Sequence, residues 1–102
     1  MQYRVNHPSD PKTHATYGLD KHIGVFVVIY KGERVVGTYD AITPGYADLA
    51  GALQFLAGHG FFEDWQLSLA LSQLPHVDEV SDLDPELQLA GKILINFRLA
   101  AA

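Results

Sequence analysis

The run Ile23-Gly24-Val25-Phe26-Val27-Val28-Ile29-Tyr30 restricts this chain more than any other stretch. It is dense in β-branched and aromatic residues, which fit a pleated backbone better than a helix. Alternation places Val25, Val27 and Ile29 on one face and Phe26, Val28 and Tyr30 on the other. A strand that is apolar on both faces belongs in the interior of a sheet, covered on two sides. Lys31-Gly32-Glu33 then reads as a tight turn, with Gly32 free to take a positive φ. Arg34 to Asp40 returns as the second strand of a hairpin.

Downstream, Thr43-Pro44 has the chemistry of a helix start. Thr43 can cap exposed amides, and Pro44 at the first helical position gives up a donor that would have no partner. Tyr46, Leu49, Ala50, Leu53, Leu56 and Ala57 fall on one helical stripe, and Gly58 or Gly60 can end it in a left-handed cap. In the segment 65–72, Leu, Ala and Gln favour helix by propensity. Its leucines would nevertheless scatter around a helix, whereas at period two Trp65, Leu67, Leu69 and Leu71 share a face. That pattern predicts a strand. Residues 87–99 alternate in the same way, with Gly91 at a bulge and Leu94 as the one exception. A helix from Asp84 through Leu99 is the alternative there, because Asp84-Pro85-Glu86 is a good helix start.

Upstream, Tyr3 to Val5 can pair as an edge strand. His7-Pro8-Ser9-Asp10-Pro11 is turn chemistry, since each proline fixes φ and disfavours helix just before it. Residues 1–21 are therefore expected to form an N-terminal arm or loop, and residues 22–99 a ββαββ core, within one domain spanning 1–102. The fold class expected is α+β: a mostly antiparallel sheet of four to five strands with one helix packed on one face. Across residues 22–99 this order resembles the β-grasp fold of the ubiquitin-like proteins. The resemblance implies parallel first and last strands at the sheet centre. The family's carrier chemistry needs a C-terminal Gly-Gly, and this sequence reads Ala100-Ala101-Ala102 there, so the resemblance implies topology and not that activity.

The packing of such a sheet raises a question about its second face. One helix about 10 Å wide covers two or three strands about 4.8 Å apart, and only on one side. Leaving Phe26, Val28 and Tyr30 in water would forfeit roughly 1.5–3 kcal/mol for each large side chain. The arm, a second subunit or a partner protein is expected to cover them. A homodimer joined through this sheet face is the favoured reading.

Composition narrows the function classes. The chain carries twelve Asp and Glu against seven Lys and Arg, a net charge of −5, and its basic residues are scattered singly. Nucleic-acid binders concentrate Lys and Arg to displace counterions, so no nucleic-acid partner is expected. The absence of cysteine excludes disulfides and thiolate metal sites and fits a cytoplasmic setting. No apolar run approaches the ~20 residues of a membrane span, and no secretory leader is expected.

No stretch matches a specific catalytic motif, and no G-x-S-x-G elbow is present. Without a catalytic motif, no catalysis and no cofactor are expected. His7, Asp10, His14 and His22 crowd the N-terminal segment and supply the donor types that divalent metals prefer. Their spacing matches no ligand signature, and a metal-dependent or acid/base enzyme built on them is the alternative reading. Asp78, Glu79, Asp82 and Asp84 lie in an acidic loop that lacks the calcium-loop pattern. They read as a solvated connector, or as a negative surface offered to a basic protein partner. His59, between two glycines at the expected helix end, can meet the helix dipole there.

Overall fold

The computed structural model describes residues 2–42 and 47–101. Four strands come first: β1 (Gln2–Asn6), β2 (Thr13–Asp20), β3 (Gly24–Lys31) and β4 (Arg34–Tyr39). They form one antiparallel meander in the order β1-β2-β3-β4. Among the described residues three α-helices follow: α1 (Leu49–Gly58), α2 (Asp64–Gln73) and α3 (Gln88–Ala101), with short 3-10 turns between the last two. The class is α+β with a four-stranded antiparallel sheet. The ββαββ order, the lone helix and the parallel strands of a β-grasp are corrected by this succession of four strands and then helices.

β3 lies inside the sheet between β2 and β4, where a strand apolar on both faces belongs. Gly32 turns the β3–β4 hairpin with φ of +63°. The expected arm is instead mostly sheet. Tyr3 and Val5 pair with Tyr17 and Ala15, and β2 pairs along its whole length with β3. Pro8 and Pro11 occupy only the connecting turn, which closes through His7 N–H to the Thr13 carbonyl at 2.9 Å. Prolines near one another therefore marked a turn between two strands, not a long loop.

The Thr43-Pro44 start lies outside the described residues. Helix α1 begins later, at Leu49, capped by the Asp48 carboxylate, which accepts the Gly51 amide at 2.7 Å. It ends in a Schellman motif. Phe61 N–H bonds the Leu56 carbonyl, Gly60 N–H bonds the Ala57 carbonyl, and Gly60 takes φ of +82°.

Residues 64–73 form a helix rather than the expected strand. The Glu63 carboxylate accepts the Gln66 backbone amide and the Gln66 side chain accepts the Glu63 amide at 2.7 Å, a complete capping box. Propensity and this cap outweigh the alternation of leucines. The cost is visible on the surface: α2 fully buries only Ala70, and Trp65, Leu69 and Leu71 remain 47%, 43% and 44% exposed.

The expected C-terminal strand is α3, so the helix alternative is the one adopted. Ala90, Gly91, Ile93, Leu94 and Phe97 form its buried stripe. Leu94, the exception to the alternation, is buried on that stripe. Gly91 is no bulge: Leu83 packs where its side chain would be.

α1 packs on β3 and α3 on β2, while α2 packs on α3. The core therefore fills one face of the sheet, where Ala15, Tyr17, Val27 and Ile29 meet Leu56, Ile93, Leu94 and Phe97. Gly37 lets α1 approach closely, since a Cβ there would sit 3.0 Å from the Phe55 ring and 3.1 Å from His59. No helix among the described residues is long and apolar enough to cross a membrane.

Candidate functional site

The opposite face of the sheet is built by the strand register alone. Arg4 pairs with Thr16, His14 with Tyr30, Thr16 with Val28 and Gly18 with Phe26. Val28 pairs with Thr38 and Tyr30 with Val35, next to a bulge in β4. This face thus carries Phe26, Val28 and Tyr30 in a row, flanked by Val35 on one side and threonines on both. The three are only half-buried and Val35 is 52% exposed. Their alternation partners Val27 and Ile29 are buried under the helices.

The histidine of this face has a defined environment. The His14 and Tyr30 rings stack with centroids 4.9 Å apart and planes 10° from parallel. Partial desolvation on the sheet lowers the His14 pKa below its ordinary value, and the Arg4 charge lowers it further. The neutral imidazole is the form this surface favours.

The other residues named as metal donors are dispersed by the fold. His7 turns toward the helices, where its ring meets the Phe61 ring edge-to-face with centroids 4.9 Å apart. Its Nδ1 accepts the amides of Ser9 and Asp10, both at 3.1 Å, and its Nε2–H donates to the His59 carbonyl at 2.9 Å. Both ring nitrogens are occupied. Asp10 organises the β1–β2 turn by accepting the Lys12 amide at 3.0 Å and the Thr13 hydroxyl at 2.8 Å. These bonds, the Thr13 one foremost, hold its carboxyl below the usual range. His22 lies in the β2–β3 turn past the far end of β2, and the strand from His14 to Asp20 alone spans roughly 20 Å at ~3.3 Å per residue. Among the described residues no three His, Asp or Glu side chains gather as a metal ion would require. Proximity in sequence did not become proximity in space, because β2 runs the length of the sheet between them.

Asp78, Glu79, Asp82 and Asp84 are exposed on the connection between α2 and α3. Glu79 and Asp82 cap a 3-10 turn reciprocally, the Glu79 amide meeting the Asp82 carboxylate at 3.2 Å. Leu83 and Leu87 anchor this connection in the core. It is an ordered, acid-bearing strap.

Charge is unevenly divided between sheet and helices. Residues 1–39 hold five Lys and Arg against three Asp and Glu, and residues 40–102 hold two against nine. The sheet half is mildly basic and the helical half strongly acidic. Val35, Thr16, Thr38 and His14 were not read as part of the sheet face from sequence. The signal for the β2 members was the alternation of Ala15, Tyr17 and Leu19 with polar neighbours, hidden by the prolines before it.

Comparison with protein-family models, with curated proteins and with solved structures finds no match for this chain.

Proposed function

We propose that this chain is a non-catalytic protein–protein interaction module that pairs with a second copy of itself through the open face of its sheet. The observation that carries this reading is the half-buried row Phe26, Val28 and Tyr30 with Val35 beside it, on the face opposite the buried Val27 and Ile29. The arm, one of the candidates to cover these residues, is itself mostly part of the sheet, which supports the reading that another chain covers them.

A second copy suits the face because its charges are few and opposite. The register puts Arg4 near one edge strand and Asp20 at the far end of β2. A two-fold axis near Val28, set diagonally to the strands, would turn Arg4 of one copy toward the Asp20 end of the other, as a self-complementary interface requires. Strands of five, eight, eight and six residues, about 4.8 Å apart and at ~3.3 Å rise, give a flat footprint of roughly 430 Å². Side-chain relief adds to that area, and ordinary stable interfaces bury ~800 Å² per partner.

Sedimentation equilibrium tests the reading. The expected result is a dimer that Val28→Asp converts to a monomer without loss of helical or strand signal in circular dichroism. A chain that stays monomeric up to about 1 mM, where association is worth no more than ~4 kcal/mol, overturns it.

A further inference from the structure

A second surface lies on the helical side of the molecule. α1 rests on β3 and α2 on α3, and these two helices have almost no contact with each other. Between them runs an open groove of about 1210 Å³. Helix α1 offers it Ala50, Leu53 and Ala57; α2 offers Leu67, Ser68 and Leu71. With Gln54 and Asp64 added, each set repeats the i, i+3, i+4, i+7 spacing of a single helical stripe. Phe62 and Leu89 line the groove as well. Two such stripes lining one groove offer a seat of the kind that a further helix fills in a packed bundle.

Size and chemistry decide the kind of occupant. The groove is larger and more open than the ~300–1,000 Å³ clefts that enclose small molecules. Its alanines and serine allow a helix about 10 Å across to approach closely, and Leu71, 44% exposed, offers an apolar contact. Exposed Glu63, Asp64 and Glu86 border it, and among the described residues no Lys, Arg or His lines it. The helical half as a whole carries nine acids against two bases. We propose that this groove docks a basic amphipathic helix from a partner protein, its leucine stripe between α1 and α2 and its Lys or Arg residues against Glu63, Asp64 and Glu86. This is the helix-in-groove mode of recognition, with the acidic border supplying steering and orientation. The surface is separate from the open sheet face and does not depend on self-association.

The probe is a fluorescein-labelled Leu/Lys peptide of about 15 residues, the length at which an isolated helix becomes marginally stable, with leucines on one stripe. A scrambled peptide of identical composition is the control, and fluorescence anisotropy is the readout. Saturable binding of the striped peptide is expected, at least about tenfold tighter than the scramble. Leu71→Glu, and separately Asp64→Lys with Glu86→Lys, should each weaken it about tenfold or more, whereas Asp78→Lys with Asp82→Lys changes it less than about twofold. Val28→Asp should leave it unchanged, which keeps this result distinct from the sheet-face dimer. Equal binding of the scramble, equal loss with the Asp78 and Asp82 reversals, or no binding overturns the proposal. So does dissociation of a dimer by Leu71→Glu, which would make a second copy the occupant.

Discussion

His7 donates its Nε2 proton to the main-chain carbonyl of His59 at 2.9 Å, tying the β1–β2 turn to the end of α1. Because Nδ1 accepts the amides of Ser9 and Asp10, the ring is held as the Nε2–H tautomer, and a single side chain joins two elements 52 residues apart. Gly60 is part of the same junction, since a Cβ there would lie 3.0 Å from His7 Nε2. His7→Ala should destabilise the fold by about 1–2 kcal/mol, the loss of several modest hydrogen bonds. Gly60→Ala should cost a similar ~1–2 kcal/mol by forcing a side chain into the left-handed region. Urea unfolding midpoints measure both; a double variant no worse than either single one identifies one shared junction.

Tyr17 is wholly buried, and its hydroxyl accepts a hydrogen bond from Asn96 Nδ2 at 2.8 Å. Asn96→Leu leaves that hydroxyl with no partner in the core, at an expected cost of about 1–3 kcal/mol. Burial raises the Tyr17 pKa, with the Asn96 bond acting weakly in the other direction. Below about pH 10 both folded and unfolded chains keep the proton, and the contribution to stability is constant. Above it the unfolded chain ionises first, so stability falls as pH rises toward the folded pKa. Tyr17→Phe should flatten this alkaline limb in unfolding curves taken across the range.

Gly91 sits inside α3, where an alanine would gain about 1 kcal/mol of helix propensity. A methyl group there collides with the Leu83 side chain, which is itself buried. Overpacking in a filled core costs about 1–3 kcal/mol, so Gly91→Ala should be net destabilising by up to about 2 kcal/mol. Thermal unfolding decides the sign. Combining it with Leu83→Val should recover part of the loss, since Leu83 then gives up the space.

The proposed dimer should loosen in acid. The His14 pKa is lowered by desolvation and by Arg4, and a second sheet laid over it would desolvate the ring further. A neutral imidazole is thus favoured in the dimer; protonation, which sets in only below the ordinary imidazole range because the pKa is lowered, opposes association. The dimer dissociation constant should be flat above neutrality and rise about tenfold or more by pH 5. His14→Gln should remove that dependence in sedimentation runs.

The class of the fold was legible in the sequence, along with the interior strand Gly24–Lys31, its Gly32 hairpin and the glycine-terminated helix after it. Each rests on local chemistry strong enough to act alone: a β-branched run, a positive-φ turn, a left-handed cap. The segments around Leu67 and Ile93 read as strands from their alternation and are helices instead, because a helix covered on only part of its surface tolerates leucines on its exposed side. Their helical state follows from the Glu63–Gln66 capping box and from the way Ala90, Leu94 and Phe97 meet the sheet. The histidines show the same division. Sequence gathered His7, His14 and His22 into one segment, but the fold places His7 and His22 in turns at opposite ends of β2 and His14 on the open face of that strand. Phe26, Val28 and Tyr30 could be read as a face needing cover. Only the tertiary structure decided that β1 and β2 extend that face instead of covering it, because their own apolar residues, Val5, Ala15 and Tyr17, are buried on the helical side.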